Sequence, residues 1–280
     1  MHLQVYTAAR LLYPLEEMSP RVRDILLLCA GLVVVLCVAV GGYAVIHARA
    51  AAGGGGQSLA PVATPSAVPT MSADPALQER WMVGVAIRSF TVYRKPSRAA
   101  RVLTQLPRFN SVRYPTVVLV DVTKDVGGQT WRKVWLDKAP NGTRGWVPDG
   151  PLALFPTTSK IVVDLSQRRL TVYQHGAKVM SFPVAVGRPG LATPTGFFYV
   201  TQKLRPPSPY GAYGALQLGT SAFQPKLSGW PDGGQIGIHG TNQDSLIGKA
   251  ISHGCVRMHN KDILEVSRLV PTGSPVIIQK

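Results

Sequence analysis

The stretch from Lys160 to Gly187, "KIVVDLSQRRLTVYQHGAKVMSFPVAVG", decides the fold class. Ile161, Val163 and Leu165 alternate with their neighbours, and Leu170 and Val172 do the same, which is the period-two pattern of strands with one face in a core. The "HG" at His175 and Gly176 marks a tight turn, so the stretch predicts three strands joined by two turns. His175 is placed at a hairpin tip, exposed and without a chemical role.

Working upstream, residues 81–155 hold the short runs "VGVAI", "FTVYR", "RVLTQL", "PTVVLVDV", "WRKVWL" and "RGWVP", broken by Pro, Gly, Asn and Asp. That spacing describes a small antiparallel barrel or sandwich. The pieces "TVYRKPSRAARVLTQLPRFNSVRY" and "TWRKVWLDKAPNGTRGWVP" resemble the bacterial SH3-like domain. Trp131, Trp135 and Trp146 suit either a groove for wall peptide or glycan or, more simply, the core such a small barrel requires.

Downstream, "KLRPPSPYGAYGALQLGTSAFQPKLSGWPDGG" reads as an ordered loop or lid, its Pro and Gly opposing long regular elements while Tyr210, Tyr213, Phe223 and Trp230 keep it apolar. In "HNKDILEVSRLVPTG" the spacing puts Ile263, Val266 and Val270 on one helical face, with Asn260 as N-cap and Gly273 as the stop. A last strand, "SPVIIQK", follows. The chain from residue 81 is therefore expected to be mainly β with one short helix.

The N-terminal part has a different composition. Residues 25–46, "ILLLCAGLVVVLCVAVGGYAVI", form an uncharged apolar run long enough to cross a bilayer as a helix, and Cys29 and Cys37 lie within it. Arg10, Arg21 and Arg23 precede it whereas Arg49 alone follows closely, so residues 1–24 are expected in the cytoplasm and the remainder outside. Cleavage as a signal peptide near Ala50 is the competing reading, against which stands the length of the apolar run. Residues 47–80 are rich in Gly, Ala, Pro and Ser and read as a flexible linker. The expected organisation is thus a 25–46 anchor, a 47–80 linker, an 81–156 SH3-like domain and a 157–280 domain.

The formal net charge is +16. Residues 81–156 carry twelve Lys/Arg against four Asp, and residues 157–280 carry thirteen against five Asp/Glu, so the excess is spread over both halves. Outside a membrane such a surface suits an anionic polymer or lipid head groups. Nucleic acid is not an expected partner, because the charges are scattered and no nucleic-acid motif occurs.

The chemistry concentrates in "GIHGTNQDSLIGKAISHGCVRMHNKDI", Gly237 to Ile263, which holds three histidines and the single cysteine beyond residue 50. A thiol with an ordinary pKa near 8.5 is mostly protonated at neutral pH, and a neighbouring imidazole can take its proton to make a nucleophile. In an extended strand His253 and Cys255 would share a face, with Gly254 adding no bulk between them. His239, ending "IGIH", could reach the same sulfur from another strand. These are parts for acyl transfer through a thioester. A zinc site from His239, His253, Cys255 and His259 is the chemical rival, but their spacings match no common structural zinc motif. A third possibility is that Cys255 is simply a small buried apolar residue.

"HGT" at His239–Thr241 followed by "SHGCVRM" at Ser252–Met258 resembles the signature of the YkuD-type L,D-transpeptidase catalytic domain. The similarity runs from about Lys160 to Lys280 and includes "IVVDLSQRRLTVY", "TPTGFF" and "ALQLG". The resemblance implies a β-sandwich enzyme without cofactor or metal that forms 3-3 cross-links in peptidoglycan or attaches proteins to it, using tetrapeptide stems as donor. It assigns Cys255 as nucleophile and His239 as base, with His253 lining the site and the Gly240 carbonyl orienting His239. Ser252, Gly254 and Arg257 fall to substrate binding, oxyanion stabilisation or orientation. Carbapenems are the implied covalent inhibitors. Twelve residues separate His239 from Ser252, fewer than in the best-known members, and Arg257 stands where some of them carry Asn. A cysteine peptidase or carboxypeptidase acting on wall peptides, and a non-catalytic wall-binding protein, are the alternatives.

Overall fold

A computed structural model describes residues 79–230 and 233–280. The apolar run at 25–46, the cytoplasmic N-terminus and nearly all of the 47–80 linker lie outside the described residues. Among the described residues no helix is long and apolar enough to cross a membrane.

The three strands expected between residues 160 and 187 are β8 (Ser159–Asp164), β9 (Arg169–Gln174) and β10 (Ala177–Pro183), paired antiparallel in sequence. Ile161, Val163, Leu170 and Val172 are fully buried, as their alternation requires. The β9–β10 turn takes only His175 and Gly176, both at positive φ (51° and 79°), the conformation that lets a two-residue turn match the strand twist. At the β8–β9 turn Asp164 Oδ1 accepts hydrogens from the Gln167 amide at 2.8 Å and the Ser166 hydroxyl at 2.7 Å. These bonds hold its carboxyl below the usual range.

Among the described residues, those ahead of β8 form one seven-stranded sheet from β1 (Trp81–Ala86), β2 (Phe90–Tyr93), β3 (Val102–Leu106), β4 (Val117–Val126), β5 (Gln129–Trp135), β6 (Arg144–Pro148) and β7 (Leu152–Thr157). Their order in the sheet is β3-β2-β6-β5-β4-β1-β7. The seventh strand, "LALFPT", was not among the sequence runs. It lies at the sheet edge, where Pro156 needs no second neighbour for its missing N–H. Ala86, Phe90, Val92, Val118, Val134, Leu136 and Val147 make the core of this sheet. Trp131 is buried against the edge of the Tyr93 ring, at 5.7 Å between centroids.

The second part adds β11 (Val186–Gly187), β12 (Gly196–Leu204), β13 (Gln217–Phe223), β14 (Gln235–His239), β15 (Ala250–Ser252), β16 (Val256–Arg257), helix α1 (Asn260–Leu269) and β17 (Pro275–Gln279). Eight strands follow the order β10-β9-β8-β17-β12-β13-β14-β16, with β11 and β15 paired separately. The final strand sits in the middle, parallel to β8 and antiparallel to β12. Ile263 and Val266 of α1, with Val270 just beyond it, are fully buried against Ile238, Val256, Met258 and their neighbours. Each such side chain contributes about 1.5–3 kcal/mol by leaving water.

Three sequence expectations are corrected here. The stretch read as a continuous irregular lid contains β13, whose five central residues are buried. A strand covered on both faces and built of "LGTSA" has no alternation to read. The N-cap of α1 is His259 rather than Asn260, whose side chain is engaged elsewhere. The helix ends at Leu269, two residues before Pro271, while Gly273 serves the following turn at φ 86°.

The two sheets share an apolar seam. Val83, Val117 and Leu119 pack with Tyr199, and Trp135 lies 4.8 Å from Phe197 between ring centroids. The Tyr199 hydroxyl donates to the Val117 carbonyl at 3.2 Å. Asn141 imitates a strand neighbour for β13: its amide donates to the Phe223 carbonyl at 2.8 Å and its oxygen accepts from the Phe223 N–H at 2.8 Å. Gln235, at the start of β14, donates to both carboxylate oxygens of Asp137 at 3.0 Å. The first sheet therefore supports the two strands that lead into the site.

Candidate active site

β14 and β16 run parallel, with Ile238 opposite Val256 and His239 opposite Arg257. This register sets Gly237 beside Cys255, which immediately precedes β16. The Gly237 N–H points at the sulfur, 3.4 Å from Sγ. A donor in that position favours the thiolate over the thiol.

His239 ends β14 and is only 3% exposed. Its Nδ1 lies 2.6 Å from the Gly240 carbonyl oxygen. A carbonyl can only accept, so Nδ1 carries the hydrogen and Nε2 keeps its lone pair. Burial drives the imidazole pKa from 6.5 down to about 4; the Gly240 bond opposes this and the nearby Arg257 charge adds to it. The ring is neutral at pH 7 and able to accept a proton.

The bend that carries Cys255 is built on Ser252. Its hydroxyl donates to the Cys255 carbonyl at 2.6 Å and accepts from the Gly254 N–H at 3.1 Å. Gly254 adopts φ 121°, which only glycine takes readily, and a Cβ there would stand 2.7 Å from Ile236 Cδ1. The premise that His253 and Cys255 share a face of an extended strand is therefore corrected: the chain bends at His253–Gly254, so strand alternation does not relate the two side chains.

Both histidines lie against aromatic rings from different loops. Tyr213, in the loop between β12 and β13, is 5.0 Å from His239 between ring centroids. Trp230, between β13 and β14, is 5.3 Å from His253. These rings are about half exposed, Tyr213 at 45% and Trp230 at 50%. In the sequence they registered only as apolar loop residues, because nothing local ties a tyrosine to a histidine twenty-six positions later. The Gly237 N–H was likewise not singled out, although its glycine in "IGIH" allows close approach.

Arg257 exchanges backbone hydrogen bonds with Ala185 in both directions and donates from Nη1 to Gln243 Oε1 at 3.2 Å. Its Nε is buried and meets no hydrogen-bond partner among the described residues. His259, a candidate zinc ligand from sequence, pairs instead with Asp244 at 3.0 Å. Among the described residues no group of three or more His, Cys, Asp or Glu is gathered as a metal-ligand set.

Residues 158–278 match the YkuD family, described as the L,D-transpeptidase catalytic domain. The inferred L,D-transpeptidase YkuD of Bacillus licheniformis is 36% identical over 157 residues, which span 54% of this chain and 87% of that protein. The chain belongs to the YkuD-type L,D-transpeptidase family. The inferred YkuD transpeptidase of Bacillus subtilis is 39% identical over 121 residues, covering 43% of this chain and 65% of the relative. L,D-transpeptidase 3 of Mycobacterium tuberculosis aligns at 19% identity over 59% of this chain and 92% of that one, with a TM-score of 0.38. Within the transpeptidase domain, Ser252 ends β15, His253, Gly254 and Cys255 make the bend before β16, and His239 ends β14 with Gly240 following it.

Proposed function

We propose that this chain is a peptidoglycan L,D-transpeptidase working through a Cys255 thioester. The observation that carries the reading is the tautomer of His239: Nδ1 donates to Gly240, which reserves Nε2 as acceptor on the strand neighbouring Cys255. The thiol gives its proton to Nε2 as Sγ attacks the carbonyl of the third residue of a tetrapeptide stem. The tetrahedral intermediate collapses with cleavage of the peptide bond, and the imidazolium returns the proton to the departing amine of D-alanine. An acceptor amine then attacks the thioester and gives a proton to His239, the C–S bond breaks, and the imidazolium returns that proton to the departing thiolate, restoring the thiol and the neutral ring. An amine from another stem yields a 3-3 cross-link, and one from a protein attaches that protein to the wall.

The neutral state of buried His239 means that the imidazolium forms only opposite an anion, thiolate or intermediate, rather than standing charged at rest. The Gly254 N–H is committed to Ser252 and does not serve as oxyanion donor without breaking that clamp. Arg257, whose half-buried guanidinium reaches Gln243 through Nη1, is assigned to a carboxylate of the stem. His253, with Trp230 against its ring, is assigned to the lining of the site. We further assign residues 81–156 to an SH3-like module, residues 25–46 to a membrane anchor that leaves the enzyme on the outer side, and carbapenems to the class of covalent inhibitors.

The test is incubation of the full chain with a defined tetrapeptide stem, reading products by mass. Release of D-alanine with a thioester on Cys255, both absent in Cys255→Ala, is expected. D-alanine release by Cys255→Ala at the wild-type rate would end the covalent mechanism.

A further inference from the structure

Asn260 is the first residue of α1, yet its carboxamide turns away from the helix. Oδ1 accepts the Ala215 N–H at 2.9 Å and Nδ2 donates to the Pro209 carbonyl at 3.3 Å, so one side chain ties down both ends of the loop that bears Tyr213. The node is closely packed. A Cβ on Gly214 would stand 2.1 Å from Asn260 Oδ1 and 2.4 Å from the Gly240 carbonyl carbon, and a Cβ on Gly240 would stand 2.2 Å from the same oxygen. Gly214 also takes φ 63°, and the Gly240 N–H donates to the Leu216 carbonyl at 3.0 Å.

Gly240 is the residue whose carbonyl holds His239 Nδ1, and Tyr213 is the ring laid against the imidazole. Both restraints on His239 therefore converge on Asn260. We propose that Asn260 is a positioning residue for His239, strapping the 209–215 loop onto Gly240 so that the Tyr213 ring and the Gly240 carbonyl fix the imidazole from two sides. This rests on the reading of His239 as the base for Cys255. The strap explains why both Gly214 and Gly240 lack side chains: any Cβ would push the loop off the carboxamide. It also gives α1 a second task beyond burying Ile263 and Val266, since its N-terminus carries the fixed point.

Substitution of Asn260 by Ala removes both bonds and frees the loop. Asn260→Asp keeps an acceptor for Ala215 and loses the donor to Pro209. The groups that meet the imidazole are Tyr213 from the loop, the Gly240 carbonyl and the charge of Arg257 on the neighbouring strand; neither substitution removes any of them.

The experiment measures the rate of Cys255 alkylation by iodoacetamide against pH, in the full chain, for wild type, Asn260→Ala and Asn260→Asp, each with and without His239→Ala. Asn260→Ala is expected to slow alkylation at neutral pH by roughly tenfold to a hundredfold, the scale of an ångström-sized misplacement of a catalytic group, and to move the profile toward that of His239→Ala. Asn260→Asp falls between it and wild type. In the His239→Ala background neither substitution changes the rate further, a non-additivity that a purely structural role would not produce. If His239→Ala shifts the profile while Asn260→Ala leaves it at wild type and only lowers the melting temperature, the positioning role falls and the base assignment stands. If His239→Ala itself leaves the profile unchanged, the base assignment fails and this proposal with it.

Discussion

The imidazole of His239 donates its Nδ1 hydrogen to the carbonyl of its own successor, Gly240, at 2.6 Å. A backbone carbonyl takes the place that a carboxylate holds in a Ser-His-Asp triad. It orients the ring and selects the tautomer as an acid would, but it supplies no negative charge to stabilise an imidazolium. Burial lowers the pKa of the ring, the Arg257 charge adds to that and the Gly240 bond offsets only part of it, which underlies the first prediction.

Acid sensitivity should follow from His239. The unfolded chain binds a proton on this ring near pH 6.5, whereas the folded chain refuses it until about pH 4. Stability is therefore unaffected above about 6.5 and falls as pH drops through the window between the two values, by about 3 kcal/mol at its lower end. Urea unfolding near neutral pH and near pH 4 should show a larger loss for wild type than for His239→Gln. Equal losses would remove His239 as the source.

The two motif histidines should separate cleanly. His239→Ala is expected to move the thiol alkylation profile to higher pH and abolish most acylation, because the buried acceptor for the proton is gone. His253→Ala, which removes the ring against Trp230, should retain the profile and alter the dependence on substrate concentration. A profile shifted only in the His253 variant would reverse the assignment.

Ser252 should be as sensitive as its burial suggests. Ser252→Ala strips a donor from the Cys255 carbonyl and an acceptor from the Gly254 N–H, and each buried group left without its partner costs about 1–3 kcal/mol. Much of that strain falls on the bend, so the acylation rate should drop more than global stability does. Wild-type acylation kinetics in this variant would show that the clamp is dispensable.

The link between the two sheets is testable at Asn141. Asn141→Ala deletes two hydrogen bonds to the Phe223 backbone and should lower stability by about 1–3 kcal/mol while unfolding stays a single transition. Differential scanning calorimetry reads both quantities. An unchanged melting temperature would mean that these two bonds add nothing to what the apolar contacts and the other hydrogen bonds of the seam supply.

A carbapenem should add its full mass to Cys255: a C–S bond forms at the lactam carbonyl, the ring C–N bond breaks, and the thiol proton ends on the ring nitrogen. Intact-protein mass spectrometry, with Cys255→Ala as the blank, checks this. Unmodified wild-type protein whose thiol still reacts with iodoacetamide would count against the assignment.

What could be read without the tertiary structure was local. The alternation of Ile161, Val163, Leu170 and Val172 marks strands because a side chain's face depends only on its position along an extended chain. The helix face of Ile263, Val266 and Val270 is legible for the same reason, and "HGT" with "SHGCVRM" carries the family because the reacting groups are crowded into short runs. The tertiary structure decided the rest, where partners are remote in sequence. Asn260 looks like a cap from its neighbours, yet its hydrogen bonds go to Ala215, forty-five residues earlier, and Pro209, fifty-one earlier. β13 shows no pattern because it is buried on both faces, and that burial exists only once β12 and β14 flank it. The protonation of His239 follows the same rule: its sequence places it beside a glycine, but burial and the Arg257 charge, which arise only when β14 meets β16, are what keep the ring neutral.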